Sequence, residues 1–257
     1  MKLPVHHLHT YRSLIRDIVF RPPLDNPIFI VGSPNSGTTL LSRIIGAHHA
    51  IYLVPGETNA WVDYRIHKPK WLRIIIFRLC DFACRANGKL RWIEKTPSHA
   101  KHIDQIFERY PLAKILWIIR DGRDVIASLR KEYEMEKCLA YWKDCNEAML
   151  PWNDNPQIYK LHYEDLITDF DNTLEGIMSF LGMPVDPIQK HFYRLKKEMF
   201  FGGRNRDGDT LQYRNWQTNM PITDCRGRWK ALPDDEKQNI NEALGNLLIK
   251  FGYERCS

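Results

Sequence analysis

Four short runs rich in β-branched and aromatic residues, each followed by a segment of helical spacing, set the frame within which this chain can fold. They are Ile28 to Val31, Leu90 to Ile93, Lys114 to Ile119 and Ile158 to Tyr163. The first and third are continuous enough to need cover on both faces, as strands of a parallel sheet do. After them, apolar residues fall on one helical face at Leu40, Leu41, Ile44 and Ile45, at Ala100, Ile103, Ile106 and Phe107, at Val125, Ile126 and Leu129, and at Leu174, Ile177, Phe180 and Leu181. Alternating strands and helices predict an α/β fold of three layers, a central parallel β-sheet flanked by helices. The 257 residues suit one domain. Residues 1–26 read as an N-terminal helix and a Pro-rich connector, and 202–228, rich in Gly, Arg, Asn and Asp, as a lid or loop. A final helix opens at Pro233 and Asp234.

Charge and cysteine usage remove several classes of function. The net charge of +6 is spread along the chain without the basic stripe of a nucleic-acid binder, so no nucleic-acid partner is expected. The six Cys show no Cys-x-x-Cys spacing, and no metal is expected. Without a signal-like N-terminus the thiols read as reduced, which points to the cytoplasm. The stretch Trp71 to Ala83 is too short and too often interrupted by charge to span a bilayer. It reads as a buried or groove-lining helix, with peripheral contact on a membrane surface as the alternative.

In open parallel sheets ligands sit at the carboxyl ends of the strands, and the chemically distinctive residues all end or follow the four runs: the 32–39 loop, Lys95, Arg120 and Tyr163. Gly32-Ser33-Pro34-Asn35-Ser36-Gly37-Thr38-Thr39 links a strand to a helix as a P-loop does. Backbone N–H groups and the helix dipole at such a start favour an anion, and the hydroxyls of Ser36, Thr38 and Thr39 add donors. An ATP-binding loop of the G-x-x-x-x-G-K-[ST] type has lysine where this chain has Thr38. The site therefore holds less phosphate charge and needs no Mg²⁺. A phosphotransferase using Mg-ATP is the alternative enzyme, and the end of the 115–119 run offers it Arg120 where a metal-binding acid would be needed.

Taken in order, GSPNSGTTLL, Trp-Ile-Glu-Lys95-Thr-Pro, Ile-Ile-Arg120-Asp-Gly-Arg-Asp-Val-Ile-Ala-Ser128 and His-Tyr163-Glu-Asp-Leu resemble the motif set of sulfotransferases that use 3′-phosphoadenosine 5′-phosphosulfate (PAPS). Pro55-Gly56-Glu57-Thr58 adds a likeness to the bacterial branch similar to tyrosylprotein sulfotransferases. The resemblance spans residues 27 to about 230. It implies sulfuryl transfer from PAPS to a hydroxyl or amine, leaving adenosine 3′,5′-bisphosphate, with a catalytically inactive nucleotide-binding relative as the non-enzyme alternative. It further implies donor contacts from Ser33 to Thr39, with Arg120 and Ser128 on the 3′-phosphate and Tyr163 beside them. Lys95 would stabilise the leaving oxygen and Glu57 would act as base, with His99 as the rival base. By the same likeness, Arg226 and Gly227 are candidates from a segment that closes over the nucleotide. Asn35 stands where many relatives have Arg or Lys. A small molecule, carbohydrate, lipid or peptide would each serve as acceptor, and oligomeric state is not encoded in any of these signals.

Overall fold

The computed structural model describes residues 21–62, 68–197 and 211–254. The expected N-terminal helix up to residue 20, and residues 202–210 of the expected lid, lie outside the described residues. Five parallel strands form one sheet: β1 (Ile28–Gly32), β2 (Ile51–Leu53), β3 (Arg91–Lys95), β4 (Lys114–Ile119) and β5 (Ile158–His162). The helices among the described residues are α1 (Thr38–Ile45), α2 (Lys70–Ala86), α3 (Ile103–Arg109), α4 (Gly122–Leu129) and α5 (Met135–Met149), followed by α6 (Asp165–Thr168), α7 (Phe170–Phe180), α8 (Leu211–Thr218) and α9 (Asp234–Lys250).

Because side chains alternate across a strand, the sheet sorts its own residues into two apolar layers. Phe29, Val31, Trp92, Ile115, Trp117 and Ile119 face α2, α3, α4, α5 and α9. Ile28, Ile30, Ile93, Leu116, Ile118 and Leu161 face α1 and α7. That is the three-layer arrangement the strand and helix order implies. The expected helix over 98–109 begins as a 3₁₀ turn, Pro97–His102, and becomes α-helical only at Ile103. β2 has no counterpart in the sequence reading. It is three residues long and pairs only with β3, at the edge of the sheet.

The strand order β2-β3-β1-β4-β5 decides where a ligand can sit. The chain runs from β1 outward in one direction to β2 and β3, then crosses to β4 and β5 on the other side. The connections leaving β1 and β4 therefore part company and open a crevice at their carboxyl ends. Gly32 ends β1 opposite Ile118, and a Cβ there would lie 2.4 Å from the Ile118 carbonyl oxygen. Only glycine allows the two strands to reach the crevice side by side.

α2 departs from its expected burial. Phe77, Cys80 and Cys84 face the sheet, and Phe77 stacks on Trp92 with centroids 5.7 Å apart. However, its charged Arg78 and Asp81 also point inward. Asp81 accepts from Trp92 Nε1 at 2.8 Å and from Leu24 N at 3.3 Å, while Arg78 bonds the Arg21 carbonyl. The hydrophobic face left over is exposed at Trp71, Ile74, Ile75 and Leu79.

Candidate active site

The phosphate loop begins with a turn in which Ser36 N donates to the Ser33 carbonyl at 3.2 Å. Asn35 at the tip has φ 62° and Gly37 has φ 91°. Asparagine tolerates the left-handed region better than a longer side chain, which gives a local reason for Asn35 at the tip of this loop. Gly37 is required twice over, since a Cβ would fall 2.6 Å from Tyr163 Cδ2. α1 then starts at Thr38 with no side-chain cap. The first-turn N–H groups of a helix have no intrahelical partner and carry its positive dipole end. Ser36 Oγ is buried with no hydrogen-bond partner. Ser33 is spent locally on the Pro34 carbonyl, Thr38 is buried and Thr39 half-buried.

Across the crevice, Arg120 follows β4 and lies over the Tyr163 ring at 4.5 Å. It donates to two backbone carbonyls, Asn35 at 3.2 Å and Cys225 at 2.6 Å, and its Nε is buried without a partner. Neither Asp121 nor Asp124 takes it. Asp121 binds Arg123 through both oxygens, and Asp124 accepts from the backbone N–H groups of Gly227 at 2.8 Å and Trp229 at 3.1 Å. Arg123 in turn stacks on Trp229 at 4.2 Å. Asp124 thus pins the 225–229 segment to α4 beside Arg120. Burial pushes the Tyr163 hydroxyl up to about 12, so it stays neutral.

Two candidates from this segment are committed internally. Gly227 N is held by Asp124, and Arg226 pairs with exposed Asp224, whose carboxyl that hydrogen bond draws down to about 2. Ser128 sits half-buried in the last turn of α4.

The third group stands at the end of β3, the strand beside β1. Lys95 is almost fully buried, and its Nζ meets Glu57 Oε1 at 2.5 Å. The Glu57 side chain keeps 31% of its surface exposed. Behind this pair lies Glu94, completely buried. It accepts from Thr58 N at 3.0 Å, Thr58 Oγ1 at 2.9 Å and Thr96 Oγ1 at 2.5 Å, and meets His99 Nδ1 at 3.1 Å. Burial raises the pKa of Glu94, but His99 and the hydroxyl and amide donors outweigh it and hold the carboxyl below its ordinary value of 4.5. Asn59, at φ 48°, adds its N–H to Thr96 Oγ1 at 3.2 Å. The turn carrying Glu57 is therefore tied to the end of β3 by one carboxylate and one hydroxyl.

His99 does not stand where a rival base would need to be. It has no exposed surface, its Nδ1 meets Glu94, and its Nε2 faces Trp61 N at 3.5 Å. The ring packs edge-on to Trp61 at 5.0 Å. With both nitrogens committed inside an aromatic cluster, it cannot meet an acceptor proton without repacking that cluster.

Glu94 and Asp124 escaped the sequence reading as contributors to the site. The signal was there for Glu94: a carboxylate inside a strand bounded by Trp92 and Pro97 must be buried, and a buried carboxylate needs several donors. Asp124 carried no such mark.

Among the described residues, His48, His49 and Asp186 form one group of metal-binding size. It precedes β2, at the end of the sheet away from the phosphate loop. The two imidazoles stack at 4.5 Å with planes 23° apart, so their lone pairs lie in nearly parallel planes, and His48 Nδ1 already accepts from Ala50 N at 3.0 Å. Asp186 is already used as a helix cap and as acceptor for His49.

Comparison with known proteins identifies the family and the fold. The model of the family described as "Sulfotransferase family" matches residues 27–76 and 72–187. Protein-tyrosine sulfotransferase A of Caenorhabditis elegans is 23% identical over 262 residues, covering 88% of this chain and 67% of that one. The sulfotransferase domain of the Synechococcus PCC 7002 olefin synthase superposes with a TM-score of 0.59 at 20% identity, covering 91% of this chain and 97% of that one. Mouse sulfotransferase SULT7A1 complexed with PAP superposes with a TM-score of 0.54 at 15% identity, covering 91% and 88%.

Proposed function

Because this chain belongs to the sulfotransferase family, we propose that it transfers a sulfuryl group from PAPS to a hydroxyl or amine, with Glu57 as base and Lys95 at the leaving oxygen. The observation that carries the reading is the Glu57–Lys95 contact at the carboxyl end of β3, next to a phosphate loop that has no lysine of its own. PAPS brings the activated sulfate. The residues present suit its anionic groups: Ser36 Oγ and Arg120 Nε are buried donors without partners, and the start of α1 offers backbone N–H groups. The buried Arg120 Nε, which has no hydrogen-bond partner, supports reading Arg120 as the 3′-phosphate contact.

The protein's own steps follow from the pair. While Lys95 and Glu57 hold each other, neither is available. Lys95 turning toward a donor oxygen releases Glu57, which is partly exposed and able to accept the acceptor's proton. The cation then stabilises the negative charge that develops as the S–O bond of the donor breaks. Glu94 keeps the 57–59 turn in place throughout. The acceptor is a small molecule, carbohydrate, lipid or peptide bearing a hydroxyl or amine. We place the reaction in the cytoplasm, consistent with the unpaired thiols of Cys80, Cys84, Cys138 and Cys145, all buried.

The test is thermal stability with adenosine 3′,5′-bisphosphate, AMP or Mg-ATP. A ligand at about 100 times its Kd adds ~2.7 kcal/mol, a rise of very roughly 5–10 °C for a chain of this size. A rise with the bisphosphate in the absence of metal is expected. A rise with Mg-ATP alone overturns the assignment.

A further inference from the structure

The outward face of α2 is built the wrong way round for a helix of a water-soluble protein. Its charged Arg78 and Asp81 are buried, while Trp71 is 62% and Leu79 44% exposed, with Ile74 and Ile75 beside them. At 100° per residue, Trp71, Ile75, Leu79 and Phe82 form one continuous stripe along a helix of about 25 Å. Contiguous apolar surface of this kind marks a docking site.

Charge indicates what docks. Of the cations in residues 68–91, Arg78 is buried beside Asp81 at 3.6 Å and Arg91 is buried at the base of β3, while Lys70, Arg73, Arg85 and Lys89 flank the stripe. Several of these cations hydrogen-bond neutral carbonyls, which do not cancel their charge. Arg73 bonds Lys68 O, Arg85 bonds Pro22 O, and Lys89 bonds His49 O. Lys70 has only a loose contact with Glu108, 3.8 Å apart with both side chains largely exposed. Lys70 and Arg73 stand at one end of the stripe, and Arg85 and Lys89 at the other.

A second copy of the chain is a poor match. Two α2 helices meeting about a twofold axis would set Lys70 and Arg73 of one against Arg85 and Lys89 of the other. An anionic lipid surface meets both requirements: hydrocarbon for the stripe and negative headgroups for the flanking cations, with Trp71 suited to the boundary between them.

We propose that α2 lies in the plane of an anionic membrane and docks the protein there. Since α2 runs back between parallel strands β2 and β3, its Trp71 end is at the carboxyl rim of the sheet, the same rim as Glu57 and Lys95. Docking brings the mouth of the candidate active site to the bilayer surface. The inference does not depend on the donor assignment, because lipid binding is read without nucleotide.

The experiment is flotation of the full chain with phosphatidylcholine–phosphatidylserine vesicles and with pure phosphatidylcholine vesicles, compared with the Trp71→Ser/Leu79→Ser and Lys70→Glu/Lys89→Glu variants. Light scattering and thermal melting are run on each. The expected result is binding to the anionic vesicles that weakens as salt is raised, and is about tenfold or more weaker in either variant, with melting unchanged. Three results overturn the proposal: no binding of the parent chain to anionic vesicles, equal binding by the serine variant, or a parent dimer that the serine variant dissociates. A large loss of melting temperature in the serine variant also overturns it, since the face would then be covered by the chain's own residues.

Discussion

Replacing Glu94 by glutamine is a change of one atom whose consequences can be worked through donor by donor. The buried carboxylate meets Thr58 N, two hydroxyls and His99 Nδ1. The Thr58 N–H cannot reverse, so the glutamine oxygen must stay with it and the new NH₂ must turn toward His99. That forces His99 Nδ1 to accept, which moves its proton to Nε2, where it faces the N–H of Trp61. One hydrogen bond is lost, and a charge-assisted one becomes neutral, at a cost of about 1.5–3 kcal/mol. The melting temperature should fall by roughly 3–10 °C. Turnover should fall by about 10–100-fold, because Glu57 rides on the turn that Glu94 holds and a misplacement of about 1 Å is worth that much. Affinity for adenosine 3′,5′-bisphosphate should not change, since Glu94 touches nothing in the 33–39 loop.

The pH dependence has a definite sign. The folded-state pKa of Glu94 is depressed, so its contribution is present above the ordinary value of 4.5 and is lost as pH falls through the lower folded value. Acid melting curves of the parent and the glutamine variant should converge in that window. Calorimetry, nucleotide titration and a single-turnover transfer assay together decide the matter. Parent-level turnover in Glu94→Gln, or a loss of nucleotide affinity as large as the loss of turnover, would refute the reasoning.

Other substitutions separate the remaining roles. Lys95→Ala should cut turnover by about 10²-fold or more with nucleotide binding retained, and unchanged turnover removes it from the chemistry. Glu57→Gln should abolish transfer while binding persists; an active variant would return the base role to His99 and require its cluster to open. Arg120→Ala should weaken adenosine 3′,5′-bisphosphate far more than AMP in isothermal titration, and equal losses would place the 3′-phosphate elsewhere.

How much of this could be read from sequence depended on whether a residue's surroundings are local. β1, the 32–39 loop and β4 were legible because continuous β-branched runs and a glycine-bounded turn are set by neighbours in the chain. β2 was not, because an edge strand of three residues takes its conformation from hydrogen bonds to β3. The spacing of α2 predicted a helix, but which face it buries depends on Trp92 and on the 21–24 backbone, both remote in sequence. In the candidate site, Lys95 and Arg120 announced themselves by following strands. What His99 faces, and what Asp124 holds, are tertiary contacts with no periodic signature.

Arg120 joins the carbonyl of Asn35, near the start of the sheet, to that of Cys225, 105 residues further along than the arginine itself. A chain emerging from the ribosome can complete all five strands long before Cys225 exists. The strands can therefore pair before the 225–229 segment arrives and Asp124 captures it to form the guanidinium clamp, with α9 covering one face of the sheet later still. On the role proposed for Arg120, its contact with the donor is then completed late in synthesis, after the phosphate loop and Lys95 are already made.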